Sequence, residues 1–460
     1  LIIMLLTAAI CAAASLKERV NAVIGRKSQK SVDISVHIVD AGTGKTLYSR
    51  NRNKAMIPAS NMKAVVAAAA LKYLGPGYQY TTRVSISDGR LAVTGSGDPL
   101  LGDEQTDEKY GRETGWIFNN IAAELRAVNI SSLKEIIVDD SIFDEDRICD
   151  GWPAGQLNKW YACEIAGINY NQNCIKMTTT RNGSRIDIDV KPSTAFLDIV
   201  NRVKIINKGR GAVGAYRVPG SPNKLLVKGR CRKAQGPFRV AVEDPAMFFA
   251  TLLHEALIRN GITVSGPPSK GPADVQAGKI LCEFSTPIRD CLARCNKDSM
   301  PVAADSMLKL LGALSREGKT GGGWRDGAVM VEKYLRYLGT QGREVYIDDG
   351  RGLSRKNRLS TESITNVFLD AYNSYYWQIF MDSLAVGGID GTIERYFKEP
   401  PYKGKIFGKT GYIAGVKSFS GICRTDNDNL YIFSIIANHA NGPTRAAIND
   451  IAKAIIDTFN

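Results

Sequence analysis

The alternation of apolar and polar residues near the start of the chain predicts a β-strand. In residues 31–38 each Val or Ile is preceded by a polar residue, a period of two that is typical of a strand with one buried face. Residues 41–44 then read Ala-Gly-Thr-Gly, which predicts a turn. We expect residues 47–48 to begin the second strand of a hairpin.

A helix and a distant pair of strands follow from the same patterns. Pro58 precedes an Ala- and Val-rich helix from about Ser60 to Leu74, which Gly75 ends. Two apolar runs, 413–423 and 430–437, predict strands joined by a polar turn. The last helix carries one apolar face, formed by Ile448, Ile451, Ala452, Ile455, Ile456 and Phe459. Strands and a helix at both ends indicate one α/β unit built from the two termini, which would bring Ser60 close to Lys409.

The middle of the chain has a different pattern. Residues 81–281 are rich in short strands and in Gly- and Pro-containing turns, with one helical stretch from Pro245 to Arg259. We therefore expect one or more strand-rich modules inserted at 81–281. Residues 15–80 and 282–460 would together form the main domain.

Composition describes a large, basic, globular protein. The 460 residues exceed the usual size of one domain, and 44% hydrophobic residues suffice for a sizeable core. The net charge of +14 suits an anionic partner such as a cell-wall polymer or an acidic membrane face, unless the charge is spread evenly over a solvated surface. We expect no nucleic-acid partner, because basic residues do not interleave with aromatic ones and no nucleic-acid motif is present.

The first 14 residues are interpreted as an export signal. Their apolar run is too short to span a bilayer and ends in Ala12-Ala13-Ala14. Cys11 suggests a lipid anchor, but Ile10 stands where a small residue would be wanted, so we favour simple cleavage. No other run is long enough for a membrane helix, and at most peripheral membrane association is expected.

Cysteine usage leaves the redox state open. Without Cys11 the mature chain has eight cysteines, at scattered spacings rather than in a disulfide framework. Cys291 and Cys295 lie one helical turn apart, a spacing that could hold a metal ion, but no histidine completes a ligand set. We interpret both as packed small residues and expect no metal site.

Two short motifs carry the candidate chemistry. A serine three residues before a lysine, combined with a distant Lys-Thr-Gly, is typical of a nucleophile that needs no histidine. The sequence holds several copies of each motif, among them Ser60/Lys63, Ser131/Lys134 and Ser306/Lys309 for the first, and Lys319 and Lys409 for the second.

Context selects one copy of each motif. Ser60 follows Pro58-Ala59 at a helix start, where free backbone N–H groups can face an anion. Lys409 is preceded by Gly408 and opens a strand of alternating character. By contrast, Ser131 lies in a turn, Ser306 within an apolar helical run, and Lys319 in a Gly-rich loop.

The chemistry of the selected residues is that of acyl transfer. The Ser60 hydroxyl needs a base, and Lys63 on the same helical face can reach it. Burial and a nearby Lys409 would make the Lys63 ammonium lose its proton readily. Lys409 and Thr410 would hold the terminal carboxylate of the substrate, and the backbone N–H groups of Ser60 and Tyr412 would form the oxyanion hole.

Other mechanisms lack their residues. The chain has three histidines and no Gly-x-Ser-x-Gly, so a Ser-His-Asp hydrolase is poorly supported. His254-Glu255 has no second histidine four residues on, and is interpreted as an ordinary pair on a helix. Gly44-Lys45-Thr46 and Gly318-Lys319-Thr320 lack the upstream glycine of a phosphate loop. No cofactor is expected.

With these motifs in order, the chain resembles the class C low-molecular-mass penicillin-binding proteins, the D-alanyl-D-alanine carboxypeptidase/endopeptidase family of the bacterial envelope. The resemblance covers nearly all of the mature chain and rests on segments 58–63, 95–99, 169–171, 261–266, 296–299, 349–355, 388–392 and 409–416.

The resemblance implies an α/β (α+β sandwich) fold, in which an antiparallel sheet is flanked by helices and a large strand-rich module is inserted. It implies export to the periplasm or cell envelope, and peptidoglycan stem peptides and β-lactams as partners. It further implies that Ser60, Lys63, Ser299 and Lys409 are catalytic, and that Thr410, Gly411 and Tyr412 bind substrate.

One family motif is incomplete. The family pattern here is Ser-x-Asn, whereas Ser299 is followed by Met300 and Pro301, and aligning on Ser306 gives no better match. In the family the serine helps to pass a proton to the leaving amine and the asparagine bonds the substrate amide. Smaller departures are Tyr412 in place of Thr and Arg351 in place of Ser. Two hypotheses follow: an active carboxypeptidase or endopeptidase, or a weakened member that binds cell-wall peptides or penicillin with little turnover.

Overall fold

The computed structural model describes residues 14–272 and 278–460 of the chain. Apart from Ala14, the predicted export signal lies outside the described residues. The helices are α1 (Leu16–Ile24), α2 (Met62–Leu74), α3 (Glu104–Lys109), α4 (Trp116–Ala127), α5 (Pro245–Arg259), α6 (Ile288–Asn296), α7 (Pro301–Leu314), α8 (Trp324–Tyr337), α9 (Thr361–Tyr372), α10 (Trp377–Asp382) and α11 (Thr444–Phe459).

The strands are distributed over the whole described chain. They are β1 (Asp33–Asp40), β2 (Thr46–Arg50), β3 (Gln79–Ser87), β4 (Arg90–Thr94), β5 (Ser132–Leu133), β6 (Glu135–Asp139), β7 (Cys174–Asn182), β8 (Arg185–Lys191), β9 (Asp198–Ile205), β10 (Ala212–Val218), β11 (Ser221–Cys231), β12 (Ala234–Ala241), β13 (Thr263–Val264), β14 (Ser269–Lys270), β15 (Lys279–Pro287), β16 (Ala385–Val386), β17 (Ile406–Ile413), β18 (Val416–Arg424) and β19 (Leu430–Asn438).

The largest sheet joins the two ends of the chain. Its order is β16-β17-β18-β19-β1-β2, and every neighbouring pair is antiparallel. Strand β1 pairs along its whole length with β19, so that Asp33 lies opposite Asn438 and Asp40 opposite Tyr431. This is the sheet predicted from the two termini.

Helices cover both faces of this sheet. On one face α1 and α11 pack against it, and on the other α9 and α2 lie among a larger set of helices. Strand β19 shows the result, because Phe433 and Ile435 point to the α11 side while Ile432 and Ile436 point to the α2 side. The predicted fold class, an antiparallel sheet flanked by helices, is confirmed.

The prediction that the first strand is half-buried was wrong. Strand β1 is buried on both faces, and its polar residues Ser35 and His37 are as inaccessible as its valines and isoleucines. Helix α9 covers the second face and supplies partners. Ser35 Oγ lies 2.8 Å from Thr361 Oγ1, and His37 Nδ1 lies 2.6 Å from Thr365 Oγ1. Polar side chains that bond each other can alternate with apolar ones and still be buried.

The predicted strand at 413–423 begins three residues later than expected. Residue 413 ends β17, Gly415 turns the chain with a φ of 74°, and β18 begins at Val416. Lys409 therefore lies in the middle of β17, between β16 and β18, rather than at the opening of a strand. The predicted helices at 245–259 and at the C-terminus are confirmed as α5 and α11.

The middle of the chain forms a separate apolar core. A mixed sheet of order β14-β6-β4-β3-β15 packs against α4 and α5. Two further sheets, β12-β7-β8 and β10-β11-β9, adjoin each other and contain the stretch from β7 to β12. Strand β3 enters this part of the molecule from α2, and β15 leaves it antiparallel to β3.

The eight cysteines among the described residues are all free thiols, and seven of them are buried. Cys291 and Cys295 pack in the apolar core around α2, which confirms their interpretation as small packed residues. Within the described residues, no helix is both long and apolar enough to cross a membrane.

Candidate active site

Ser60 lies in a tight turn that the sheet holds in place. The turn, Ala59–Asn61, is a 3₁₀ helix immediately before α2, and Ser60 is half-buried. Ser418 Oγ on β18 donates to the carbonyl of Pro58 at 2.6 Å, and Asn61 Nδ2 donates to Ser420 Oγ at 2.6 Å. Ala59 has a φ of 47°, an unusual value for a residue with a side chain and a kind of local strain that is common beside reactive groups.

Two glycines allow the backbone to approach Ser60 closely. A Cβ on Gly352 would lie 2.0 Å from the carbonyl oxygen of Ala59, and one on Gly411 would lie 2.9 Å from the backbone nitrogen of Ser60. The glycine of the Lys-Thr-Gly motif is therefore required by the packing of β17 against the Ser60 turn.

Lys63 is buried one helical turn beyond Ser60. Its Nζ donates to Ser60 Oγ at 3.1 Å and to the carbonyl oxygen of Arg351 at 2.6 Å. Burial lowers the pKa of Lys63 to about 8, and the nearby Arg351 guanidinium acts in the same direction against the buried Asp305 carboxyl group. A lysine in this state loses its proton close to neutral pH and can act as a base.

Lys409 contacts Ser299, the serine of the incomplete motif, beside the cavity. Its Nζ donates to Ser299 Oγ at 2.9 Å and to the carbonyl of Thr410 at 2.9 Å. Burial holds the pKa of Lys409 well below its usual range, and the positive charge of Lys63 adds to this effect. Ser299 has a φ of 60°, so a second residue with a strained backbone lies beside the cavity.

One cavity of about 560 Å³ collects most of the predicted site residues. It is lined by Ser60, Lys63, Pro153, Gln156, Trp160, Tyr161, Ser299, Pro301, Arg351, Gly352, Leu353, Arg355, Thr392, Thr410, Tyr412, Ile413 and Ala414. Lys409 and Gly411 lie directly behind this wall, since both are buried on β17. Thr410 Oγ1 lies in the cavity and donates to Thr392 Oγ1 at 3.0 Å.

The position of the missing asparagine is occupied by a proline. Pro301 is the first residue of α7 and lines the cavity, while Met300 is buried in the core. Proline is well suited to a helix start, because its missing N–H would have no partner there. It offers the cavity an apolar surface where an amide side chain would otherwise bind substrate.

Arg351 is a buried residue whose role the sequence did not indicate. Its guanidinium forms an ion pair with Asp305 on α7 and lies 3.9 Å from the ring centre of Trp152. It also donates to the carbonyl oxygens of Tyr161 and Cys163 at 2.9 and 3.0 Å. Arg351 thus links α7 and the segment around Tyr161 to the carbonyl that binds Lys63.

Gln156 was also missed. It is the only side-chain amide among the described residues that line the cavity, and it belongs to a short segment, 153–161, between β6 and β7. No local motif marks it, because the segment reaches the cavity only through the tertiary fold.

The other copies of the motifs lie outside the cavity. Ser131 is exposed before β5, Ser306 is buried within α7, and Lys319 is exposed in a short 3₁₀ turn. His254 and Glu255 lie on α5, where Glu255 accepts from Thr194 Oγ1 and from the backbone N–H of Ala195. Within the described residues, no group of His, Cys, Asp and Glu side chains is arranged to hold a metal ion.

Comparison with known proteins assigns the chain to a family. The model of the D-Ala-D-Ala carboxypeptidase 3 (S13) family matches residues 16–457. The chain belongs to this family. Membership confirms the predicted family and the prediction of a serine-type D-Ala-D-Ala carboxypeptidase, and it supports an active enzyme rather than a weakened binding protein.

Curated relatives of the chain are also named D-alanyl-D-alanine carboxypeptidases. The chain is 28% identical over 462 residues to a D-alanyl-D-alanine carboxypeptidase of Actinomadura sp. (strain R39), covering 95% of this chain and 83% of that protein. It is 24% identical over 389 residues to the D-alanyl-D-alanine carboxypeptidase DacB of Haemophilus influenzae, covering 81% of this chain and 78% of that protein.

Solved structures agree on the fold. Penicillin binding protein 4 (dacB) from Haemophilus influenzae superposes with a TM-score of 0.78 at 21% identity, over 95% of this chain and 98% of that chain. A second structure of that protein, complexed with a β-lactam, superposes with a TM-score of 0.75.

Proposed function

We propose that the chain cleaves the terminal D-Ala-D-Ala bond of peptidoglycan stem peptides through an acyl-enzyme on Ser60. The observation that carries this proposal is the 3.1 Å contact between Ser60 Oγ and a buried Lys63 in an open cavity. A serine hydroxyl beside a readily deprotonated lysine is an activated nucleophile.

Acylation begins with the transfer of the Ser60 proton to Lys63 Nζ. Ser60 Oγ then attacks the carbonyl carbon of the penultimate D-alanine, and the carbonyl oxygen becomes an oxyanion. The backbone N–H groups of Ser60 and Tyr412 would stabilise that charge, which is where such donors contribute most to the rate. Gly411 supports this assignment because it lets β17 approach the Ser60 backbone.

Collapse of the tetrahedral intermediate breaks the peptide bond. The leaving D-alanine amine needs a proton, which Ser299 Oγ would supply and recover through Lys409 Nζ, its donor at 2.9 Å. Lys63 Nζ then releases the Ser60 proton to solvent, and Lys409 Nζ regains one. A water molecule attacks the ester while Lys63 Nζ takes its proton as base and returns it to Ser60 Oγ. Ser60 is released together with the shortened peptide.

Substrate orientation would come from β17 and its surroundings. Thr410 Oγ1 lines the cavity and would bind the terminal carboxylate of the substrate. Lys409, buried behind this wall on β17, would add its attraction whenever it is protonated. Pro301 removes one amide donor from the opposite wall, so substrate positioning there is weaker than in a site with asparagine.

The finer predictions follow from this chemistry. We propose that the chain is exported, that it works in the periplasm or cell envelope, and that β-lactams acylate the same serine because they present a similar carbonyl. Carboxypeptidase and endopeptidase reactions would share the site. We also propose that residues 81–281 are a module inserted into the main domain, supported by β3 and β15, which enter and leave it side by side.

A labelled penicillin tests the nucleophile. The chain is expected to form one covalent adduct, visible by intact mass spectrometry, and Ser60→Ala is expected to form none. Ser131→Ala is the matched control, because it changes an exposed serine of the same motif outside the cavity. No adduct on the unmodified protein, or an adduct that survives in Ser60→Ala, would overturn the assignment.

Turnover is tested with a defined pentapeptide stem. Release of D-alanine by the unmodified protein, and its loss in Ser60→Ala, are the expected results. An adduct with penicillin but no release of D-alanine from the stem would identify a binding protein instead.

A further inference from the structure

The positive charge of the chain is concentrated in one part of the fold. Residues 174–241, from the start of β7 to the end of β12, contain 15 Lys and Arg but three Asp and Glu, a net charge of +12. The whole chain has a net charge of +14. The alternative, a charge spread evenly over the surface, is therefore wrong. Residues 174–241 account for most of the net charge of the chain.

Most of these cations have no acidic partner among the described residues. Ten are exposed and form no ion pair with a described residue, namely Arg181, Lys191, Arg202, Lys204, Lys208, Arg210, Lys228, Arg230, Arg232 and Lys233. The half-buried cations Lys176, Arg217 and Lys224 are each ion-paired. The exposed Arg185 pairs with Asp187, and the half-buried Arg239 lies over the ring of Trp160. Most of the surface charge of this segment is thus not neutralised by acidic residues.

Four of the unpaired cations form a block on one sheet face. Strands β9 and β11 are parallel, and their register places Arg202 opposite Lys228 and Lys204 opposite Arg230. Residues two apart on a strand share a face about 7 Å apart, and neighbouring strands lie about 4.8 Å apart. We call these four residues the basic face.

Like charges directly opposite each other on neighbouring strands destabilise a sheet. The basic face contains two such pairs in succession, and no described acidic residue separates them. The adjacent strand β10 places Ala212 opposite Arg230 and Gly214 opposite Lys228. The exposed ring of Tyr216 lies over Gly214, with its centre 4.6 Å from Lys228 Nζ, and supplies no negative charge. The fold therefore keeps an unfavourable cation array next to an open surface.

The basic face continues into a cleft at the end of the sheet. The cleft has a volume of about 420 Å³ and is lined by Thr180, Arg181, Asn207, Arg232, Lys233 and Ala234. Hydrogen bonds join its three loops, since Arg181 Nη1 donates to Asn207 Oδ1 at 2.9 Å and the Arg181 N–H donates to the Lys233 carbonyl at 2.7 Å. The cations of the cleft thus continue the row of cations that the basic face forms along β9 and β11.

We propose that the basic face and this cleft bind a linear, phosphate-bearing polymer. A row of cations at regular spacing fits repeated phosphate groups, and binding would release the counterions of the polymer. An anionic membrane is less suited, because the exposed large apolar residues of the described chain include just one, Tyr216, within residues 174–241. A single-stranded nucleic acid would need a series of stacking aromatic residues, which this surface lacks.

Binding of soluble poly(glycerol phosphate) tests the proposal. The test variant replaces Arg202, Lys204, Lys228 and Arg230 by Gln, and the matched control replaces Lys27, Lys30, Lys333 and Lys398, four exposed lysines outside the segment. The control and the unmodified protein are expected to bind alike. The test variant should bind at least about ten-fold more weakly, with a slope of log affinity against log salt that is smaller by about 3.

Two further readouts separate binding from folding. The test variant should be acylated by penicillin at the unmodified rate, and it should unfold at a higher denaturant concentration because like-charge repulsion is relieved. Equal loss of binding in the test and control variants would overturn the proposal. So would stronger binding to phosphatidylglycerol vesicles or to single-stranded DNA than to the polymer at equal phosphate concentration.

Discussion

At the scale of single residues, the proposed chemistry of the cavity depends on one lysine, Lys63. Its pKa of about 8 in the fold lies well below the pKa of a lysine in water. Lys63 is buried and donates to two oxygen atoms, which hold it in place without an ion pair to a described carboxylate. Its position relative to Ser60 is set by one turn of α2, whereas its pKa is set by burial.

The proposed role of Lys63 gives acylation a definite pH dependence. Since the neutral amine is the active form and burial lowers the pKa of Lys63 to about 8, the penicillin acylation rate should rise with pH and level off above about 9. Stopped-flow acylation between pH 6 and 10 measures this. A rate that stays constant across this range would contradict a base at Lys63, and Lys63→Arg, which stays charged, should show almost no acylation.

Pro301 should limit turnover. Pro301→Asn restores a side-chain amide at the cavity wall, and one positioning hydrogen bond amounts to about 1–3 kcal/mol, so D-alanine release should rise by roughly ten-fold or more. Pro301→Ala is the control, because it removes the proline ring without adding an amide. If both variants release D-alanine at the unmodified rate, another group, with Gln156 the nearest candidate in the cavity, supplies this hydrogen bond.

At the scale of elements, the glycines that let segments approach Ser60 are as necessary as the reactive groups. Gly352→Ala would place a Cβ 2.0 Å from the Ala59 carbonyl at a φ of 77°. We expect acylation to slow by at least about ten-fold as the Ser60 turn shifts, which corresponds to about 1.4 kcal/mol or more.

Gly44→Ala separates this clash from backbone strain. Gly44 has a φ of 69° but nothing within 4 Å of an added Cβ, and it lies in the β1–β2 turn. Gly44→Ala should lose about 1–2 kcal/mol of stability from backbone strain alone and keep normal acylation. Gly352→Ala should lose more stability, because the clash adds to the same strain. Equal acylation rates in the two variants would show that the close approach of Gly352 is not needed.

Strand β1 makes stability sensitive to acid. Burial lowers the pKa of His37 to about 4, whereas an unfolded histidine titrates near 6.5. The neutral His37 therefore contributes stability above pH 6.5 that is lost as the pH falls towards 4, by up to about 3 kcal/mol.

His37→Gln should remove part of this pH dependence. Urea unfolding at pH 7 and at pH 4.5 gives the free energy of unfolding under both conditions, and the difference should shrink in the variant. A difference that remains the same as in the unmodified protein would place the acid-sensitive group elsewhere.

The elements that the sequence predicted are those with a local signal. Helix α5, helix α11 and the pairing of the terminal strands follow from periodicity and from turn residues. The β17–β18 turn was placed wrongly because the apolar run continues through it. The burial of His37 could not be predicted, since it depends on threonines of α9 more than 300 residues away.

The candidate site divides in the same way. Ser60, Lys63 and Lys409 stand in short motifs, and their local context separated them from the other copies of the same motifs. Arg351 and Gln156 act through contacts with distant segments, and such contacts leave no mark in neighbouring residues.

At the scale of the whole molecule, the catalytic sheet needs both ends of the chain. Helix α11 contains no proposed site residue, but it covers one face of the sheet that carries Lys409. A chain that ends at residue 443 should therefore bind no labelled penicillin, although all the motifs remain. Solubility and adduct formation measure this, and an adduct on the truncated chain would show that the sheet is stable without its covering helix.

The pairing of β1 with β19 also determines when the folded enzyme can first form. About 400 residues separate the two strands along the chain, and a contact of such long range forms slowly and late in folding. During synthesis, β1 has no partner until residues 430–438 have been added. If the chain is exported during synthesis, as proposed above, its sheet closes only after β19 has followed β1 out of the cell interior, and activity first arises outside.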